Sequence, residues 1–265
     1  MPTAELSGVH LYYEWSGNPA GPALVLVNSL GSNLHMWDMV LPLLEKDHRV
    51  LRYDVRGHGM SAVPPPPYTL EQLGRDLIGL LDTFEIPRIR LCGLSLGGVV
   101  GMWMGIHAPD RVERLILANT GARIGDGEMW DTRVAFVRSQ GMAALAEMTL
   151  GRWFTEKYRQ EHPAEMDRVR AMVADTPTDG YLGCCVVLRE SDLKSELGGI
   201  SAPCLIIGGT HDPATPPAYG LYLRDALRNS TYVELDASHL SAWERPDEFA
   251  GAVLAFLTRR RSADG

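Results

Sequence analysis

The chain has 265 residues, of which 45% are hydrophobic and 22% charged, so it can bury a core of ordinary size. Its formal net charge of -8 argues against binding to nucleic acid or to an anionic membrane surface. No segment has the roughly 18 consecutive apolar residues of a membrane-spanning helix, and the first ten residues lack the basic start and apolar run of a signal peptide.

Short apolar segments recur along the chain and predict strands. The first, VHLYYEWSG at 9–17, alternates between apolar and polar residues and predicts an antiparallel edge strand. The later segments are apolar at nearly every position, as in parallel strands covered on both faces. They are ALVLV at 23–27, RVLRYD at 49–54, RIRLCG at 88–93, RLILAN at 114–119 and CLIIGG at 204–209.

Helical patterns lie between these strands. Thr69 and Gln72 form a capping box, and apolar residues follow them at helical spacing. A more apolar helix is predicted over LGGVVGMWMGIH, ending near Pro109, and the TRRRS sequence near the chain end is predicted to complement the C-terminus of a last helix. Strands that alternate with helices predict an α/β fold with a mostly parallel central sheet and helices on both faces.

The alternation lapses between about residues 121 and 199. This stretch is rich in Met, Trp and Arg, and segments such as DTRVAFVRSQGMAALAEM and AEMDRVRAMVAD predict short helices. Strands then resume. We therefore predict a core over 1–120 and 200–265, with residues 121–199 forming a helical lid folded over the sheet.

The sequence CGLSLGGVVG at 92–101 joins a predicted strand to a predicted helix. Gly93, Ser95 and Gly97 match the G-x-S-x-G pattern of a nucleophile elbow, a sharp turn that exposes the serine hydroxyl. The flanking glycines avoid a clash within the turn. Because the serine stands at a helix N-terminus, backbone N–H groups favour negative charge there. The pattern predicts that Ser95 is a nucleophile.

A serine nucleophile needs a base, and the base needs an acid to orient it. Of the eight histidines, His239 lies in a polar loop after the strand-like TYVEL, where the chain order nucleophile, acid, histidine places the base. Asp212, in a turn after CLIIGG, is the predicted acid. Asp54 precedes the nucleophile and is expected to order a loop. The role of His58, in the loop sequence RGHG, stays open.

Acyl transfer also needs hydrogen-bond donors for the oxyanion. The backbone N–H of Leu96, directly after the nucleophile, is one predicted donor. The loop sequence VNSLGSN follows the strand ALVLV and is predicted to supply the second, the N–H of Leu30. Asn119 follows the strand after the nucleophile helix, which is an alternative position for the acid, and an amide cannot act as one.

These residues resemble the α/β-hydrolase fold family over essentially the whole chain. Within it, the chain is similar to the 3-oxoadipate enol-lactonases of bacterial aromatic-compound catabolism. RYDVRGHGMS and the elbow occur in many hydrolases, whereas NSLG, LANTGARIG and RWFT carry the narrower likeness. The resemblance implies hydrolysis of 3-oxoadipate enol-lactone to 3-oxoadipate in the β-ketoadipate pathway, without metal or organic cofactor. By position, it implies Ser95 as nucleophile, Asp212 as acid and His239 as base.

The implied substrate is a small lactone that carries a carboxylate, so a local positive site must offset the protein's negative charge. Residues 121–160 contain six basic and five acidic side chains. We hypothesise that Arg133 or Arg152 pairs with the carboxylate, and that Trp130 and Trp153 wall the pocket. The alternative is that these arginines are solvated on helix faces and that the tryptophans anchor the lid to the sheet.

Other functions remain open at this point. A general carboxylesterase or a perhydrolase would use the same three residues, and a ligand receptor on a hydrolase fold belongs to a different class. Serine at the elbow argues against haloalkane dehalogenases and epoxide hydrolases, which need aspartate there. The four cysteines include no C-x-x-C pair, which predicts buried free thiols in a cytoplasmic protein. No oligomeric state follows from the sequence.

Overall fold

The structure is a computed structural model that describes residues 2–6 and 8–258. Within these residues, eight strands form one sheet in the order β1-β2-β4-β3-β5-β6-β7-β8. They are β1 (Thr3–Leu6), β2 (Val9–Gly17), β3 (Ala23–Val27), β4 (Arg49–Tyr53), β5 (Ile89–Leu94), β6 (Val112–Ala118), β7 (Cys204–Gly209) and β8 (Ser230–Leu235). Strands β3 to β8 are parallel. The predicted mostly parallel sheet is confirmed.

The prediction that 9–17 forms an edge strand is wrong in one respect. Strand β2 pairs antiparallel with both β1 and β4, so it lies second in the sheet and β1 is the edge. Four residues are too few for the alternation of β1 to stand out in the sequence. The hairpin between β1 and β2 turns through Gly8, whose φ is +86°.

Helices cover both faces of this sheet. The helices of the core are α1 (Leu41–Leu44), α2 (Leu70–Thr83), α3 (Leu96–His107), α8 (Pro217–Ala226), α9 (Ser241–Glu244) and α10 (Pro246–Thr258), and those between β6 and β7 are α4 (Gly127–Trp153), α5 (Glu156–Glu161), α6 (Pro163–Ala174) and α7 (Thr178–Glu190). Residues 24–27 of β3 have no exposed surface. Since successive strand residues point to opposite faces, both faces are buried. The predicted capping box of Thr69 and Gln72 begins α2.

The chain between β6 and β7 is helical throughout its regular structure. Helix α4 packs against α6 and α7. It is two helices joined at Gly141, whose φ of 78° breaks the helical path. The predicted short helices thus lie in α4 and α6. The described residues of this stretch contain no strand.

Further predictions concern membranes, metals and cysteines. Among residues 2–6 and 8–258, no helix is long and apolar enough to cross a membrane. The same residues hold no group of three or more side chains suited to a metal ion. All four cysteines are buried and free. The arginine run at 259–261 lies outside the described residues.

Candidate active site

Ser95 occupies a strained turn between β5 and α3. Its φ of 56° and ψ of -114° are unusual for a residue with a side chain. The surrounding sheet holds it there, because Ser95 N donates to Ala118 O at 3.0 Å and Ser95 O accepts from Thr120 Oγ1 at 2.8 Å. A Cβ on Gly93 would lie 2.1 Å from Gly97 O. The turn therefore has the shape that the elbow pattern predicts, and glycine is required beside it.

Asp212 lies in the turn after β7 with its side chain buried. Its Oδ1 accepts from the backbone N–H groups of Ala214 at 2.8 Å and Thr215 at 3.0 Å. Its Oδ2 accepts from Thr215 Oγ1 at 2.6 Å and lies 2.8 Å from His239 Nδ1. Burial alone would raise the pKa of Asp212, but the charge of His239 and these hydrogen bonds lower it to about 2. The carboxylate is thus ionised and able to stabilise a charged imidazole.

His239 lies in the loop between β8 and α9 and is 2% exposed. With Nδ1 facing Asp212, Nε2 is the ring nitrogen left to face a substrate. Ser95 and His239 line one cavity, although no hydrogen bond between them occurs in the described structure. Such contacts are often long before substrate binds. The arrangement suits a base that acts on Ser95 once substrate is bound.

The end of α4 contacts the histidine loop on both sides of His239. Ser238 Oγ donates to Arg152 O at 2.8 Å, and Leu240 N donates to Trp153 O at 2.9 Å. The residues whose side chains line the cavity from α4 thus hold the loop of His239 through their backbone. Two hydrogen bonds thus join the end of α4 to the loop of His239.

The two predicted oxyanion donors lie at the same end of the sheet as Ser95. Leu96 begins α3, and Leu30 lies in the loop after β3 and lines the cavity. In the part of the chain that the structure describes, neither N–H donates a hydrogen bond to another residue. Both N–H groups are therefore available to a ligand oxygen.

One cavity is lined by Ser95, His239 and Leu30 together with residues from the helical stretch between β6 and β7. All four residues of this stretch that the sequence singled out, Trp130, Arg133, Arg152 and Trp153, line it. Other lining residues gave no signal in the sequence, because nothing local distinguishes them from core positions; they are Ile124, Met129, Val173, Tyr181 and Leu188. The cavity wall combines apolar and polar side chains, and two arginines give it positive charge.

Arg133 and Arg152 supply that positive charge. Arg133 Nη1 donates to Tyr181 OH at 3.3 Å, and no carboxylate within the described residues pairs with either arginine. Burial lowers the pKa of Arg152, and the neighbouring Arg133 lowers it further. By contrast, Arg189 on α7 pairs with Asp131 at 2.8 Å. Two guanidinium groups that form no ion pair within the described residues make a site suited to a carboxylate.

Sequence reasoning missed two residues that contact the acid. Thr215 bonds to Asp212 through both its backbone and its hydroxyl, and Asn119 donates to the carboxylate from the end of β6. For Asn119 a signal existed, since a polar residue directly after a buried strand lies at the edge of the sheet where the site forms.

Comparisons with known proteins identify the family of the chain. A family model described as the alpha/beta hydrolase fold matches residues 22–246. The chain is 40% identical over 257 residues to 3-oxoadipate enol-lactonase 2 of Acinetobacter baylyi, covering 97% of this chain and 96% of that protein. It is 35% identical to 3-oxoadipate enol-lactonase 1 of that organism over 250 residues, or 94% of each protein. The crystal structure of the enol-lactonase from Burkholderia xenovorans LB400 has a TM-score of 0.96 at 45% identity, covering 97% of this chain and 100% of that chain.

Proposed function

The chain belongs to the α/β-hydrolase family, and we propose that it opens the lactone ring of 3-oxoadipate enol-lactone to give 3-oxoadipate in the β-ketoadipate pathway. The names and the 35% to 45% identity of its relatives support this substrate. The observation that carries the proposal is the cavity that contains Ser95 and His239 together with two arginines that form no ion pair in the part of the chain that the structure describes. The substrate has the matching pair of groups, a lactone carbonyl and a carboxylate.

The first chemical step is attack by Ser95. His239 Nε2 takes the hydroxyl proton as Ser95 Oγ bonds to the carbonyl carbon, and Asp212 stabilises the resulting imidazolium. The carbonyl oxygen becomes an oxyanion that accepts hydrogen bonds from Leu30 N–H and Leu96 N–H. These donors are fixed before the reaction, so no reorganisation is required when charge develops.

Ring opening and hydrolysis follow. The ring C–O bond of the tetrahedral intermediate breaks, and the electron pair leaves as an enolate in the chain attached to Ser95. The His239 imidazolium gives its proton to the enolate, which becomes a ketone, and His239 is neutral again. A water molecule, deprotonated by His239, then attacks the acyl-enzyme ester and releases 3-oxoadipate. The proton returns from His239 to Ser95 Oγ.

Residues of the lid bind the substrate. Arg133 and Arg152 pair with the carboxylate, and Trp130 and Trp153 wall the cavity around the ring. Both tryptophans are buried, at 5% and 6% exposure. Residues 121–199 act as the lid that excludes water while the acyl-enzyme forms.

The four buried free thiols support a cytoplasmic location. Free cysteines persist in the reducing cytoplasm, whereas oxidising compartments favour disulfides. A cytoplasmic enzyme would meet a catabolic intermediate where that intermediate is made.

The proposal is tested by ultraviolet loss of freshly generated 3-oxoadipate enol-lactone with the purified protein. Rapid loss is expected, and Ser95→Ala, verified as folded by circular dichroism, should abolish it. An unchanged lactone beside rapid cleavage of aryl esters would overturn the substrate and leave the nucleophile in place. A peroxide-dependent halogenation assay on the same samples detects perhydrolase activity.

A further inference from the structure

His58 is a buried histidine to which the hydrolysis scheme gives no role. It lies in the loop after β4 and has no exposed surface. Its Nε2 accepts a hydrogen bond from Gly31 N–H at 3.0 Å, and its Nδ1 lies 3.2 Å from Arg56 O. A carbonyl can only accept, so Nδ1 carries the proton and Nε2 keeps its lone pair. Both contacts therefore require the neutral ring in one tautomer.

The surroundings of His58 keep it neutral. Burial lowers the pKa of His58 to about 4, and the bond to Arg56 O offsets only part of this effect. The ring therefore stays an acceptor for Gly31 N–H at neutral pH. A protonated ring would carry a hydrogen on Nε2 as well. That N–H would face the N–H of Gly31, and the hydrogen bond between them would be lost.

Gly31 directly follows Leu30, the proposed oxyanion donor. Its φ of 76° lies in the region that favours glycine, so the chain turns sharply just after Leu30. The bond to His58 fixes the peptide on the C-terminal side of Leu30. On the other side, Ser29 N donates to Met36 Sδ at 3.1 Å. Leu30 N–H is thus held between two fixed peptides.

The whole loop from β3 is attached to the segment that follows β4. Asn28 Nδ2 donates to Tyr53 O at 2.8 Å, and Leu34 N donates to Asp54 Oδ1 at 2.7 Å. These contacts hold the two ends of the loop, at residues 28 and 34. At the centre of the loop, Ser32 Oγ donates to Ser29 O at 2.7 Å on one side of Leu30, and His58 accepts from Gly31 N–H on the other. The hydrogen bond to Gly31 thus gives His58, in the RGHG sequence, a role beyond packing in the fold.

We propose that His58 is a positioning residue, which holds Leu30 N–H in the direction of the oxyanion through its hydrogen bond to Gly31. The inference rests on the proposed acyl-transfer mechanism, but not on which ester is the substrate. An oxyanion donor acts mainly when the carbonyl oxygen gains charge, so its displacement lowers kcat more than it raises KM. If the ring of His58 acted only by packing, its replacement would not lower kcat more than it raises KM.

The test compares His58→Leu with His58→Gln. Leucine fills a similar volume without an acceptor, whereas a glutamine amide can accept from Gly31 N–H and donate to Arg56 O. Active sites are first titrated with a fluorophosphonate, whose phosphoryl oxygen occupies the oxyanion site when Ser95 is modified. The labelling rate, by intact mass, needs no knowledge of the natural substrate. Ser95→Ala is the unlabelled control.

We expect His58→Leu to lower kcat per titrated site by about 10²- to 10³-fold, as for loss of one oxyanion donor, with KM changed less than about threefold. The labelling rate should fall in parallel, and His58→Gln should recover most of both. Equal rates in wild type and His58→Leu, or no recovery in His58→Gln, would overturn the proposal. If His58→Leu does not fold, His58→Asn replaces it, because its shorter side chain does not reach Gly31.

Failure of this inference and failure of the substrate assignment are distinguishable. If the lactone is not consumed by wild type, the labelling rates of the variants still measure the oxyanion site. If the lactone is consumed and the labelling rates of wild type and His58→Leu are equal, the substrate stands and the role of His58 does not.

Discussion

Asn119 Nδ2 donates a hydrogen bond to Asp212 Oδ2 at 3.0 Å, on the same carboxylate oxygen that faces His239. Asn119 is buried at the end of β6 with a φ of 43°. Its Oδ1 accepts from Ser241 Oγ at 2.5 Å, and its Nδ2 also lies 3.3 Å from Ser238 O. One amide thus joins the acid to the loop of the base, in a network whose polar atoms are satisfied.

Replacing Asn119 with alanine should loosen the acid without touching substrate. A hydrogen bond to a charged group contributes about 1.5–3 kcal/mol, so we expect kcat to fall by roughly 10-fold or more while KM stays nearly constant. Steady-state kinetics on folded protein measures this. Ser241→Ala is the control, because it leaves the bond between Asn119 and Asp212 intact and should keep most of kcat. Equal losses in both variants would contradict the role given to Asn119.

The strands and the elbow could be predicted because their signals are local. A run of apolar residues such as ALVLV favours a strand buried on both faces whatever lies elsewhere in the chain. The glycines beside Ser95 are likewise dictated by a turn of five residues. Asp212 and His239 follow from their chain order after the nucleophile, since the ends of parallel strands meet at one edge of the sheet.

Contacts between distant parts of the chain could not be predicted. Asn119 and Asp212 are 93 positions apart, and no periodic pattern links them. The lid arginines raise a similar problem: Arg133 faces the cavity while Arg189 forms an ion pair with Asp131. Both arginines lie on helices of mixed charge, and only the packing of α4 on α7 decides which of them forms an ion pair.

Arg133 and Arg152 should affect binding of the substrate carboxylate more than the rate of the chemical steps. We expect Arg152→Gln and Arg133→Gln each to raise KM for the lactone by about 10- to 100-fold, the value of a hydrogen bond to a charged group. Turnover of a neutral aryl ester should change little, because it offers no carboxylate. Initial-rate kinetics with both substrates separates the two effects.

Arg189→Gln is the matched control for the arginine variants. Arg189 has ion pairs with Asp131 and Glu190 and does not line the cavity. Its exposed ion pairs contribute little, so KM for the lactone should match that of wild type. If Arg133→Gln and Arg152→Gln also match wild type, the arginines do not bind the substrate.

The glycines of the elbow should be intolerant of a methyl group. In Gly93→Ala the new Cβ would meet Gly97 O at 2.1 Å, and all the atoms it meets belong to the backbone, which cannot rotate away as a side chain can. We expect a loss of at least about 3 kcal/mol in the free energy of unfolding, as for other forced overpacking, measured by urea denaturation. Gly251→Ala on α10 is the control: its Cβ meets nothing within 4 Å, and helix propensity should add up to about 1 kcal/mol. A Gly93→Ala variant as stable as wild type would contradict this geometry.

Asp54 is a buried carboxyl group that holds two loops together. Its Oδ1 accepts from Leu34 N at 2.7 Å and its Oδ2 from Met60 N at 2.8 Å. Burial raises the pKa of Asp54 from 3.8 to about 6, although these backbone hydrogen bonds oppose the rise. This agrees with the loop-ordering role that the sequence indicated, and it gives the protein a titrating group that the unfolded chain has only at lower pH.

The raised pKa of Asp54 predicts how stability changes with pH. Between pH 4 and about 6 the folded protein binds a proton at Asp54 that the unfolded chain has lost, so the free energy of unfolding falls as pH rises through this window. The rise from 3.8 to about 6 corresponds to about 3 kcal/mol. Urea denaturation at pH 4.5 to pH 7.5 should show this decline in wild type and a flatter profile in Asp54→Asn, which has no group to titrate there. Subtracting the Asp54→Asn profile from that of wild type removes the contribution of other carboxylates, such as Asp76. Parallel profiles would mean that Asp54 ionises in the fold at its ordinary pH.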